Sequence, residues 1–207
     1  MPDQMMHLAI AHKLIKKLDI NDEGAFYLGS IAPDAVHVRT DSTRAEKSAY
    51  HFHADTKIDW TSNAQEFIHR YVPNSDNAFY MGYASHILVD IVWAYGPFKE
   101  FNIRHASDTS PLLPADKAYY YDLRRIDYDV FKGFHDIKSV FNMLMNANPF
   151  PVAGGSTIIE TQSWKKKVID RYEEKTSGFD SPPRYMNLDE IFAFFDDACE
   201  FAAKFFS

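Results

Sequence analysis

The sequence predicts an all-α protein built as a helical bundle. Apolar residues recur at three- and four-residue spacings along several segments, and Pro and Gly punctuate the chain between them. No stretch alternates with the two-residue period of a strand strongly enough to form a sheet. At 207 residues the chain is long enough for one well-buried domain, expected to span residues 1–207.

The elements follow in order. Residues 3–18 place His7, Ala11, Leu14 and Leu18 on one stripe, with Asp3 as the N-cap. A short helix over about 22–31 stops before Pro33. Residues 35–54 are polar and rich in His, Asp and Ser, and read as a long loop of the kind that often carries function. A helix over about 56–71 turns Trp60, Ala64, Phe67 and Tyr71 inward and ends before Pro73. The next runs over about 76–95 and terminates at Gly96-Pro97, and residues 97–114 read as irregular. A long helical region over about 115–147 carries a candidate break at Gly133, and its consecutive Tyr119, Tyr120 and Tyr121 must face different directions. A helix over about 160–175 and a last one capped by Asn187, with Glu190 in the third position of a capping-box-like start, complete the chain.

Composition excludes several classes. Hydrophobic residues make up 46% and aromatic residues 15%, so a core is easily built. A net charge of −7 argues against a nucleic-acid or anionic-membrane surface. It leaves an anionic substrate open, because a bound metal can reverse the field locally. The one cysteine, Cys199, rules out an intrachain disulfide framework and a cysteine-based zinc site. No apolar run approaches a membrane span and residues 1–18 lack the pattern of a signal peptide, so the expected location is the cytoplasm.

The chemistry concentrates in the first 90 residues. His86 and Asp90 lie one turn apart in the apolar run FYMGYASHILVDIVW, so both side chains point the same way. An aspartate facing an apolar packing surface is costly unless a partner compensates its desolvation, and a divalent metal shared with the histidine does so. His7 lies on the apolar stripe of the first helix, Asp34 follows Pro33, and His51 and His53 lie in YHFHAD. Imidazole and carboxylate donors together suit zinc and its first-row neighbours, and helix bundles often build such sites from several elements. Each residue also has a bland role: His7 as a hydrogen-bonded core histidine, Asp34 as a turn or cap residue, His51 and His53 as solvated loop residues, and His86 with Asp90 as a simple hydrogen-bonded pair.

Taken together, MMHLAIA, FYLGSIAPDAV, SAYHFHAD and FYMGYASHILVD, in that order, resemble the zinc-dependent phospholipase C family. The last of these holds Gly82, His86 and Asp90 in the family's Leu-Gly-x-x-x-His-x-x-x-Asp pattern, with Met81 for the Leu. The resemblance covers about the first 95 residues. It implies an all-α bundle of the phospholipase C/P1 nuclease type. It implies a main metal site of Asp34, His51, His86 and Asp90, with His7 holding a second ion and Asp90 bridging. His51 is preferred to His53 because it directly precedes Phe52, matching the family's His-Phe pair. The implied activity is hydrolysis of a phosphoester by metal-activated water, with Asp34, or else Asp90, orienting or deprotonating that water. The substrate would be a small or phospholipid-derived phosphoester. Ser30, Ser85 and Tyr50 are candidates to hold the free ring nitrogens, and Arg39, Arg44 and Lys47 could meet a phosphate or simply be solvated.

The sequence departs from the family in three places. It opens Met-Pro-Asp where the secreted members present an N-terminal Trp, Gly96 stands where they place a His, and their later His-x-x-x-Glu pair has no match. One or two zinc ions, or other divalent transition metals, are therefore expected rather than three. Two alternatives remain at this level. An HD-type metallophosphohydrolase would use the His135-Asp136 doublet with His105 and Asp196 or Asp197, and a catalytically degenerate relative would keep the metal and the scaffold alone.

Overall fold

The computed structural model describes residues 1–73, 77–174, 179 and 181–206, with only the backbone of Asn77. Among the described residues there is no strand, and the chain is an all-α assembly. Its helices are α1 (Gln4–Leu18), α2 (Glu23–Ile31), a 3-10 helix (Ala32–Val38), α3 (Arg44–Tyr50), α4 (Lys57–Tyr71), α5 (Asn77–Tyr95), α6 (Pro97–Ser107), α7 (Ala115–Gly133), α8 (Ile137–Asn146), α9 (Ile158–Glu173) and α10 (Leu188–Ala203). The expected helix ends near 76 and 175 fall outside the described residues.

α5 is the central helix. It packs against α1, α2, α4, α6, α10 and the 3-10 helix, and its residues from Phe79 to Ile91 are buried on every side, which explains why this run is apolar all round. Two glycines let α2 and α5 cross at backbone contact. A Cβ on Gly29 would stand 2.0 Å from the Phe79 carbonyl oxygen, and one on Gly82 would stand 2.1 Å from the Phe26 carbonyl oxygen. Only a residue without a Cβ fits either place.

Two segments are more ordered than their composition suggests. Residues 35–54 hold the rest of the 3-10 helix and all of α3. Pro33 sits at the start of the 3-10 helix, where its missing N–H costs nothing. Thr43 and Glu46 form a reciprocal capping box that starts α3. Likewise Pro97 does not only end α5. It occupies the first position of α6, a helix where an irregular stretch was expected. The break at Gly133 is present, separating α7 from α8. Asn187 does cap α10, but Glu190 forms no box with it and instead makes a two-pronged ion pair with Arg104. Of the three tyrosines on α7, Tyr119 is buried and accepts from Trp93 Nε1, whereas Tyr120 is exposed.

Candidate metal centre

Four separate elements deliver the candidate donors to one place. α1 carries His7. Its first turn is held by Asp3, which caps Gln4 N, and by Asp127 of α7, whose Oδ1 accepts from the amides of Met5 and Met6 at 3.0 and 3.3 Å. The 3-10 helix carries Asp34, and Gln4 Nε2 donates to Asp34 Oδ2 at 2.5 Å. His51 is the C-cap of α3, in a Schellman arrangement: Phe52 N donates to Ala49 O and His53 N to Ser48 O. The left-handed position of that motif, usually Gly, is Phe52 at φ 49°. A bulky side chain there is strained by roughly 1–2 kcal/mol, offset by packing of the Phe52 ring on Phe67 and Tyr83. Trp60 Nε1 then donates to His51 O at 2.8 Å and pins the cap. α5 carries His86 and Asp90.

The side chains converge into a compact buried cluster. His51 Nε2 lies 3.3 Å from Asp34 Oδ1 and 3.8 Å from Asp90 Oδ2, and His86 Nε2 lies 3.5 Å from Asp90 Oδ2. His7 Nε2 lies 3.6 Å from Asp90 Oδ1, and its ring stacks on that of His86 at 3.7 Å. All five residues are at most 3% exposed. Two sets of donors, His7/His86/Asp90 and Asp34/His51/His86, each fall within 4.8 Å of one another.

The outer nitrogens of two rings are held by the backbone. His86 Nδ1 donates to the Ser30 carbonyl and His51 Nδ1 to the Lys47 carbonyl, both at 2.8 Å. A carbonyl can only accept, so each bond leaves Nε2 facing the cluster. The expected hydroxyls do not serve. Ser30 and Ser85 bond to carbonyls of their own helices, and Tyr50 bonds to Glu160. Arg39 is also committed, to Glu46, Glu160 and Tyr50.

The fit to a metal follows from what is left over. His7 Nδ1 and Nε2, Asp34 Oδ1, His51 Nε2, His86 Nε2 and both Asp90 oxygens are buried without a hydrogen-bond partner. Polar atoms left so in one spot cost on the order of 1–3 kcal/mol each, and a cation satisfies those directed at it, at most one nitrogen per ring. Zinc bonds of 2.0–2.2 Å in a tetrahedron set neighbouring donors about 3.3 Å apart, close to the separations found here. Protonation agrees. Burial, then the field of His86, lower the His7 pKa to about 3, so the ring is neutral at pH 7. Burial raises the Asp34 carboxyl, but the facing His37 and His51 rings prevail and hold it well below the usual range. At Asp90 burial is likewise outweighed by His86. At His86 burial lowers the imidazole, but Asp90 and Asp34 prevail and raise it, so an ion held there would displace the proton from that ring.

A family model for zinc-dependent phospholipase C matches residues 6–112, a span that contains all five residues. The chain belongs to the zinc-dependent phospholipase C family. No curated protein and no solved structure matches it. The all-α architecture is that of the family, and no helix among the described residues is long and apolar enough to cross a membrane.

Residues of the other schemes lie elsewhere. His53 is exposed and packs on Trp60. His135 is exposed, Asp136 pairs with His12, His105 bonds to Leu113 O, and Asp196 pairs with Lys13. No donor group assembles around the His-Asp doublet among the described residues. Two members of the site were not anticipated: Gln4, and His37, whose Nε2 lies 3.5 Å from Asp34 Oδ1. Their spacing offered a signal, since each stands three residues from a ligand candidate, one turn away on the same helix.

Proposed function

We propose that the protein is a metal-dependent, zinc-using hydrolase of phosphoesters, acting on a small or phospholipid-derived substrate. The observation that carries this reading is the set of buried, unpartnered donor atoms on His7, Asp34, His51, His86 and Asp90, which fall into two mutually close groups that share His86. Asp34, His51, His86 and Asp90 would hold one ion, and His7 with Asp90 would face a second. Zinc bound there supplies Lewis acidity, lowering the pKa of water and offsetting charge on a phosphoryl oxygen.

The protein's own residues do the rest. The carbonyls of Ser30 and Lys47 fix the two imidazoles, so the donors need not reorganise during the reaction. Gln4 holds Asp34 Oδ2 and so turns Oδ1 toward the cluster, where it would hold the ion and accept a hydrogen bond that orients the attacking water. Asp90 is the more enclosed of the two carboxylates and suits a holding role. Water adds at phosphorus, the P–O ester bond breaks, and the alcohol leaves with a proton.

A second reading is favoured by the tightness of the enclosure. Closed sites are characteristic of structural metals, whereas catalytic ones keep an open position. One experiment separates the two. Zinc content is measured by elemental mass spectrometry on the wild type and His86→Ala, beside hydrolysis of bis(4-nitrophenyl) phosphate and 4-nitrophenyl phosphate before and after chelation. Turnover that disappears with zinc and returns on its addition supports the hydrolase. Bound zinc without turnover on phosphodiesters, phosphomonoesters or phospholipids leaves a structural ion, and no bound zinc defeats both readings.

A further inference from the structure

We infer that His37 is the residue that meets a phosphoryl oxygen of the substrate, at an entrance between the 3-10 helix and α9. This rests on the phosphoesterase reading and extends it to the route and the recognition of the substrate. The five donor side chains are closed off, and so is Gln4. Among the described side chains paired with them, His37 alone is open to solvent, with its side chain 38% exposed. Solvent and cluster therefore meet at Asp34, across the His37 imidazole.

His37 is not one more ligand. Its Nε2 lies 3.5 Å from Asp34 Oδ1, yet it belongs to neither set of mutually close donors. The ring instead leans against Trp164 of α9, centroids 5.9 Å apart, which holds it at the edge of the site. An imidazole N–H can donate to a phosphoryl oxygen in either charge state of the ring.

A cation stands at this edge. Lys167 Nζ lies over the Trp164 ring at 5.9 Å. One turn further along α9, Arg171 holds Asp3 through two bonds of 3.0 and 2.8 Å. Asp3 in turn caps Gln4, the residue bonded to Asp34. One cationic side chain of α9, Lys167, thus stands over the ring that backs His37, while the charge of Arg171 is matched by Asp3. An anion approaching His37 would meet Lys167 before the two ionised carboxylates behind the ring.

The test is titration calorimetry of inorganic phosphate into zinc-loaded wild type, His37→Ala and His37→Gln, with zinc content and thermal unfolding measured on each. The inference expects full zinc and a wild-type-like transition in both variants. It expects phosphate affinity to fall about tenfold in His37→Ala and to recover in part in His37→Gln, which restores an N–H donor. Unchanged phosphate affinity overturns it, as does loss of zinc in both variants, which would make His37 a mere support for Asp34. Failure of the underlying reading looks different: the zinc-loaded wild type itself would bind no phosphate and turn over no phosphoester.

Discussion

Replacing Gly82 with alanine tests whether the crossing of α2 and α5 sets the spacing of the metal donors. The added Cβ would stand 2.1 Å from the Phe26 carbonyl oxygen and 2.9 Å from the Ser30 amide nitrogen. Both are backbone atoms of a buried helix, so no side chain can swing aside. The helices must part by roughly 1 Å to reach tolerable contact. Overpacking of this kind costs about 1–3 kcal/mol, and the rigidity of backbone against backbone places this case at the upper end. Alanine regains about 1 kcal/mol of helix propensity over glycine, so a net loss of about 2 kcal/mol is expected. The same displacement strikes the site, because His86 lies one turn beyond Gly82 and its Nδ1 bonds to Ser30 O at 2.8 Å. Urea unfolding of the zinc-free protein reads the stability, and elemental analysis after gel filtration reads the metal. A variant within about 0.5 kcal/mol of wild type and with full zinc would refute the reasoning.

Three further outcomes are expected. His51→Ala is expected to lose zinc and His53→Ala to keep it, since of the two only the His51 ring reaches Asp34 and Asp90; equal retention in the two would refute the proposed ligand role of His51. In zinc-free protein the folded pKa of His7 is about 3, below its unfolded value. As pH falls below about 6.5 the unfolded chain takes up the proton first, so wild type loses about 2 kcal/mol between pH 7 and 5 that His7→Gln keeps; parallel urea midpoints in the two proteins would contradict this. Asp127→Ala strips the acceptor from the Met5 and Met6 amides at the start of α1, lowering stability by about 3 kcal/mol in urea unfolding; a loss under 1 kcal/mol would show that α1 is held by other contacts.

Local patterns were enough for much of the fold. α1 and α4 carry apolar spacings of three and four residues, α2 and α5 are apolar runs ended by proline or glycine, and each forms close to those of its expected limits that lie among the described residues. α3 and α6 escaped because the signals that start them, the Thr43–Glu46 box and Pro97, sit in polar or proline-bearing stretches that otherwise read as loop. The candidate donors were legible by residue type and order, and His86 with Asp90 by spacing as well. The hydrogen bonds that orient them were not. They end on backbone carbonyls of Ser30 and Lys47, which every residue carries and no side-chain pattern marks.

By itself the sequence determined that the chain is helical, that one helix is buried all round, and that His and Asp recur along it in the order of a known zinc family. Periodicity and motif order are properties of neighbours in the chain, so they survive without coordinates. Only the tertiary structure decided that His51 rather than His53 joins the cluster, that the glycines of α2 and α5 bring Ser30 onto His86, and that His37 of the 3-10 helix meets Trp164 of α9 at the edge of the site. Those are distances between segments far apart in sequence, set by packing and by the few backbone atoms that must touch.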